Sequence, residues 1–224
     1  MFGKKEKKTA VVIGLGEFGL HLALSLAKHN CDVIVADRDP KKVESVKNFV
    51  MKAVVADVSQ KTSLYSIVPA DANFVVIALG NIESSIMAAL YLKDLDIKSV
   101  YVKAISEEHE RILKMMEVKN IIFPEKDMGQ RFATKLMSNN LLDFLPLSDE
   151  YSVAELTPLR SMEEHTLKEI DFRKIHNLSI IAVKEKDSQS LIISPSAGFK
   201  IKSTDILIVL GRKEHIDNYN SINH

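Results

Sequence analysis

Six short apolar runs, each followed by a longer amphipathic stretch, fill the first half of this chain and leave it few folds to choose from. They are AVVI at 10–13, VIVA at 33–36, AVVA at 53–56, FVVIAL at 74–79, VYV at 100–102 and IIF at 121–123. β-Branched residues dominate them and polar alternation is missing, the pattern of strands buried on both faces of a parallel sheet. Helical spacing follows the runs: Phe18, Leu22, Leu24 and Leu26; then Ile86, Leu90 and Leu92; then Ile112, Met115 and Met116. Strand–helix alternation repeated this often predicts an α/β fold, a Rossmann-like doubly wound parallel sheet.

Beyond Pro124 the pattern changes. Phe132, Leu136, Leu141 and Leu142 keep helical spacing over 128–145, and Pro146 ends it,. This stretch reads as a crossover helix with one face packed on another subunit. Strand-like runs return at 153–156, 179–183, 191–193 and 206–210, punctuated by Ser194-Pro195 and Gly198. The expected division is a nucleotide-binding domain over 1–124, a crossover and dimerisation helix over 125–146, and a smaller α+β domain over 147–224. A C-terminal piece of roughly 75 residues has a marginal core of its own, which favours oligomerisation.

Charge narrows the partners. Thirty basic residues balance thirty acidic ones, so no global field draws a polyanion and nucleic acid is not an expected partner. Lys4, Lys5, Lys7 and Lys8 form the one basic cluster and read as a solvated tail. Cys31 is the only cysteine, which excludes an internal disulfide and gives no sign of an oxidising compartment. No apolar run approaches the ~18 residues of a membrane span, and the N-terminus lacks a signal-peptide core. The expectation is a soluble, cytoplasmic protein that meets a membrane only through a partner.

The most specific local signal is Gly14-Leu15-Gly16-Glu17-Phe18-Gly19, placed after the first strand and opening the first helix. Gly14 permits the tight turn, Gly16 lets a pyrophosphate approach the backbone, and Gly19 lets the helix lie close to the strand. The helix N-terminus offers its unpaired N–H groups to the phosphates. Asp37 ends the second strand about twenty residues on, where an acid accepts ribose hydroxyls and disfavours the 2′-phosphate of NADP. The competing reading is a glycine turn that binds nothing. Asp57, after the third strand, meets an adenine edge or caps the next helix, with Ser59 competing for the cap.

No catalytic constellation accompanies this cradle. The seven histidines are scattered without metal-ligand spacing,. His29 and His109 fall on helices and read as surface residues; His176 reads as a polar loop residue. Cys31, beside Asp32, reads as a small buried residue. Ser84-Ser85 begins a helix and reads as its cap. The chain is not expected to be an enzyme.

With these residues in view, the sequence resembles the regulator-of-potassium-conductance (RCK) gating proteins of the Ktr and Trk potassium-uptake systems, the soluble Ktr subunits above all. The carrying segments are VVIGLGEFG at 11–19, VADRDP at 35–40, VVADVS at 54–59 and VVIALG at 75–80. FPEKDMG at 123–129 and LSDEYSVAEL at 147–156 are the specific ones, because a generic Rossmann enzyme has no reason to carry them. The resemblance implies a first domain that binds ATP or ADP (NAD in some relatives) and forms homodimers assembling into an octameric ring. The ring would sit on the inner face of a membrane potassium-translocating subunit and gate it.

Carried over by position, the resemblance puts phosphates on Gly14, Gly16 and Gly19, with Glu17 and Phe18 in the same loop, and ribose on Asp37 beside Arg38. Asp57 and Val58 approach adenine, Ala78 and Gly80 line the pocket, and Lys103 lies near the phosphates. Glu125 matches the family acid that helps hold a divalent cation by the γ-phosphate; it also reads as an acid favoured by a helix dipole. Glu17 departs from the family, whose close members carry an arginine there that reaches a neighbour's γ-phosphate. That reversal weakens ATP-over-ADP discrimination.

The C-terminal domain resembles the RCK module that binds cyclic di-AMP across a two-fold axis. The implied site is Leu167, Lys168, Asp171, Arg173, Ser179, Ile180, Ile181 and Pro195, where Lys168 replaces an aliphatic and Ser179 an asparagine. A structural alternative makes Leu167, Ile180 and Ile181 ordinary core and Asp171 with Arg173 a surface pair. Two other functions compete with the potassium regulator: an NAD-dependent oxidoreductase, and a nucleotide sensor serving another transporter.

Overall fold

The apolar runs assemble as one parallel sheet. In the computed structural model, which describes residues 7–95, 97, 99–186 and 190–222, they form β1 (Thr9–Ile13), β2 (Asp32–Asp37), β3 (Lys52–Val55), β4 (Phe74–Ile77), β5 (Val100–Lys103) and β6 (Asn120–Ile122). Lys4 and Lys5 of the basic cluster lie outside the described residues. The strand order is β3-β2-β1-β4-β5-β6, every pair parallel. The chain turns back between β1 and β4, so a crevice opens beyond the carboxyl ends of these two strands.

Helices α1 (Glu17–Lys28), α2 (Pro40–Val46), α3 (Lys61–Ile67), α4 (Ile82–Lys93) and α5 (Glu107–Met115) connect the strands. Two separate clusters explain why the runs do not alternate. Val11, Ile13, Ile34, Ala36, Val75 and Ile77 pack with Leu64, Ala88 and Leu92, whereas Val12, Val33 and Val35 pack with Leu15, Ala23, Val43 and Val46. Strands sandwiched in this way have no solvent face to mark with polar residues. Each fully buried valine or leucine contributes about 1.5–3 kcal/mol.

Most connections are capped by side chains. Asp39 accepts from Lys41 N with Pro40 in the first turn, Asn81 accepts from Ser84 N, and Ser106 accepts from His109 N. Asn81 therefore caps α4 in place of the expected Ser84-Ser85 pair, and Ser85 is buried. His109 corrects a second expectation. It sits on the inner face of the strongly amphipathic α5, fully buried, and neither ring nitrogen finds a partner among the described residues. Cys31 is only half-buried, and its thiol lies 3.0 Å from the Lys8 carbonyl oxygen.

The chain divides into two units between Lys126 and Asp127. Helix α6 (Pro124–Leu136) runs through this boundary and buries none of its residues. The helix expected over 128–145 is therefore corrected at both ends. It opens at Pro124, whose fixed φ suits a first helical position, and it stops at Leu136. Residues 141–146 pair instead as strand β7 (Leu141–Pro146) with β8 (Tyr151–Leu156). Asn140 redirects the chain: its amide donates to the Ile222 carbonyl at 2.9 Å, and its N–H donates to Asn220 Oδ1 at 3.0 Å. Pro146 does end an element, on an edge strand where a missing N–H is tolerated.

The second unit adds β9 (Ser179–Lys184), β10 (Leu191–Ile193) and β11 (Ile206–Arg212), giving an antiparallel sheet in the order β10-β9-β11-β8-β7. Short helices α7 (Leu167–Ile170) and α8 (Phe172–His176) and the terminal α9 (Lys213–Asn220) complete this smaller α+β unit. Its core gathers Leu141, Leu156, Phe172, Leu178, Val183, Leu207, Val209 and Tyr219. His176 is not a loop residue. It lies on α8, its ring 4.9 Å from Phe172 and 5.0 Å from Tyr219, centroid to centroid.

Candidate functional site: the nucleotide cleft

At the turn-back point between β1 and β4 lies a cleft of about 670 Å³. Gly14 sits at its base with φ +95°, a conformation that a side chain strains, and a Cβ there would lie 2.7 Å from the Ala78 carbonyl oxygen,. Gly19 does not line the cleft. It holds α1 against the turn, because a Cβ on it would lie 1.9 Å from the Gly14 carbonyl oxygen. Gly16 is different in kind. It is the N-cap of α1, has ordinary extended dihedrals, and a Cβ there would meet nothing within 4 Å. No protein atom requires glycine at 16, and no side chain caps the helix it opens. Free N–H groups facing open space suit a phosphate.

Asp37 makes two main-chain contacts that its position does not predict. Oδ2 accepts from Leu15 N at 2.6 Å and Oδ1 from Asp39 N at 2.9 Å. The carboxylate thus braces the glycine loop, and each oxygen keeps a lone pair for a ribose hydroxyl. Arg38, Asp57, Val58, Ala78 and Gly80 also line the cleft. Neither Asp57 nor Ser59 caps α3, whose N-cap is Gln60. Asp57 Oδ1 instead accepts from Ser59 N at 3.0 Å and Ser59 Oγ at 2.7 Å, and these bonds hold its carboxyl below the usual range.

Lys103, Glu125 and Glu17 also line the cleft. Lys103, at the end of β5 and largely buried, lies 2.5 Å from Glu125 Oε1 in the first turn of α6. That contact holds the Glu125 carboxyl below its ordinary value. Glu17 stands at the mouth with its side chain 95% exposed and His21 3.8 Å away. No cluster of three potential metal ligands exists among the described residues. One or two carboxylates joined by ligand phosphates are nevertheless a donor set that magnesium accepts. The cleft thus gathers the expected Gly14, Gly16, Glu17, Phe18, Asp37, Arg38, Asp57, Val58, Ala78, Gly80, Lys103 and Glu125. It adds Lys42, Asn81 and Ser84, which sequence reasoning missed. Lys42 sits in the first turn of α2 and reaches the cleft through tertiary placement, with no local signal in the sequence.

The expected second set is more dispersed. Asp171, Arg173 and Ser179 line one cleft of the second unit. Leu167 and Ile180 pack partly against the core, Ile181 is exposed on β9, and Lys168 is exposed on α7. Pro195 is half-buried after β10. Asp171 lies 3.9 Å from Lys174, and no ion pair joins it to Arg173 among the described residues.

A Rossmann-type cleft followed by a small antiparallel sheet defines an RCK-type protein. Residues 10–124 match the TrkA-N domain family and residues 153–222 the TrkA-C domain family. "Ktr system potassium uptake protein C" of Bacillus subtilis (strain 168) is 34% identical over 214 residues, covering 95% of this chain and 96% of the relative. "Ktr system potassium uptake protein A" of the same organism is 32% identical over 218 residues, covering 97% of each. The GsuK RCK domain superposes with a TM-score of 0.66 at 17% identity, covering 98% of this chain and 48% of that one. This chain belongs to the TrkA family and, within it, to the Ktr potassium uptake proteins. Among the described residues no helix is long and apolar enough to cross a membrane.

Proposed function

We propose that this chain is the cytoplasmic regulatory subunit of a potassium-uptake system, a non-enzymatic switch read by a membrane potassium-translocating subunit. The observation that supports it most is Gly16: an uncapped helix start, open space where a side chain would stand, and Asp37 facing it, in a chain of the Ktr proteins. In this reading the main-chain N–H groups after Gly16, at the uncapped start of α1, hold the diphosphate,. Asp37 holds ribose, Asp57 and Val58 meet adenine, and Lys103 neutralises the terminal phosphate. ATP and ADP are the ligands, with NAD the competitor that the same ribose contact admits.

Glu125 shares a divalent cation with the γ-phosphate, exchanging its contact with Lys103 for the metal. Glu17 sets a negative charge at the mouth, which favours ADP over ATP until a cation intervenes. Homodimers assembled into an octameric ring transmit the state; Met128, Phe132 and Leu136 of α6 are exposed apolar groups for such assembly. Gating requires that the two ring states bind the two nucleotides unequally, because equal affinity shifts no population. Cyclic di-AMP acts on the second domain through the set centred on Asp171 and Arg173.

The test is co-purification with a potassium-translocating membrane subunit, followed by potassium flux in vesicles holding both. Flux that differs between ATP and ADP supports the switch. Flux indifferent to both, or nicotinamide turnover by the chain alone, contradicts it.

A further inference from the structure

Glu17 opens α1, and His21 stands one turn further along the same face. Residues four apart on a helix are neighbours, and here Glu17 Oε2 lies 3.8 Å from His21 Nε2. Both side chains are open to solvent, 95% exposed for Glu17 and 76% for His21.

The pair borders the nucleotide cleft. Glu17 lines it beside Gly16, where α1 starts without a side-chain cap and a Cβ would meet nothing within 4 Å. A phosphate bound at that helix start stands next to the Glu17 carboxylate, and two neighbouring anions repel. Lys103, the cleft's largely buried cation, is already in contact with Glu125. A cation shared by Glu17 and the phosphate removes the repulsion, and His21 decides which cation.

Carboxylate plus imidazole is a donor set for zinc, whereas magnesium takes oxygen ligands. Two donors about 2.1 Å from a tetrahedral zinc stand roughly 3.4 Å apart. The observed 3.8 Å closes to that with a small rotation of either exposed side chain. Two protein donors do not complete a zinc site, and among the described residues no third potential ligand joins them. A phosphate oxygen supplies the third donor and water the fourth, so metal and nucleotide complete one another's sites.

We propose that Glu17 and His21 hold a zinc ion against the phosphates of a nucleotide at the mouth of the cleft. The proposal rests on the nucleotide reading of the cleft given above. It concerns a different cation from the one assigned to Glu125, whose donors are all oxygens. By linkage, nucleotide tightens the metal by the same factor as metal tightens the nucleotide.

The test is calorimetric titration of ADP into the full-length chain and its His21→Ala and Glu17→Gln variants, in chelator, in magnesium and in zinc. All three proteins are expected to unfold alike in chelator, because both side chains are exposed,. Zinc should tighten ADP binding to wild type about tenfold beyond magnesium, and both variants should lose that extra gain. His21→Ala should bind ADP in chelator as wild type does. A zinc gain that survives in His21→Ala overturns the proposal. ADP binding to wild type that zinc leaves no tighter than magnesium does removes the metal bridge alone, whereas no ADP binding in any medium removes the nucleotide reading and the bridge with it.

Discussion

Gly19 lies so close to Gly14 that a Cβ on it would stand 1.9 Å from the Gly14 carbonyl oxygen. Helix α1 therefore rests directly on the turn that shapes the cleft, and the loop's glycines divide into those that packing requires and Gly16, which faces open space. Gly19→Ala forces helix and turn apart and should cost about 1–3 kcal/mol in denaturant unfolding. Gly16→Ala meets no protein atom and should unfold as wild type does, while nucleotide affinity falls about tenfold or more. A Gly16→Ala protein that binds nucleotide normally would free that space of any phosphate.

Lys103 and Glu125 should act as a pair. Lys103→Met removes the cation at the phosphate end and leaves Glu125 uncompensated, so nucleotide affinity should drop about tenfold. Adding Glu125→Gln should recover part of that loss. Glu125→Gln alone should remove the gain in ATP affinity that magnesium provides. Titrations of ATP with and without magnesium check both, and unchanged magnesium dependence would remove Glu125 from the cation's shell.

His109 makes the first domain acid-sensitive. Burial holds its pKa below the usual 6.5, so the folded state keeps the ring neutral while the unfolded chain protonates it. The resulting stability is present above pH 6.5 and is lost as pH falls through the depressed folded value. Denaturant unfolding between pH 7.5 and 5.5 should show this slope, and His109→Leu should flatten it. His176, also lowered by burial, leaves a residual slope in the second domain. An identical slope in His109→Leu would contradict the assignment.

Tyr219 makes the second domain sensitive to alkali. Burial pushes its phenol well above the usual value of 10.0, and its hydroxyl donates to the Thr157 carbonyl at 2.9 Å. The stability this represents is complete below pH 10 and is lost as pH rises toward the raised folded value. Absorbance titration at high pH should show one of the five tyrosines ionising only as the domain unfolds. Tyr219→Phe should remove that late step and cost about 1 kcal/mol at neutral pH.

The parallel sheet was legible because its strands are buried on both faces, and unbroken β-branched runs such as Val33, Ile34 and Val35 have no other economical reading. The turn at Gly14 and the strand end at Asp37 were legible for a related reason: both are local features. The stop of α6 at Leu136 was not legible. Leu141 and Leu142 continue a helical period, and only Asn140, bonded to residues about 80 positions away, turns the chain into β7. His109 was misread for the converse reason. Its helix is polar on average, and nothing local says that this histidine is on the buried side. Lys42 reaches the cleft through tertiary placement alone.

The proposed switch depends on a diphosphate clasped by main-chain N–H groups at the start of α1. Calorimetric titration of ADP into wild type and Gly16→Ala tests it most directly. Wild type should bind one ADP per chain and Gly16→Ala at least tenfold more weakly, with both proteins equally stable. No heat of binding to wild type at saturating ADP, or equal affinity in the two proteins, would contradict it.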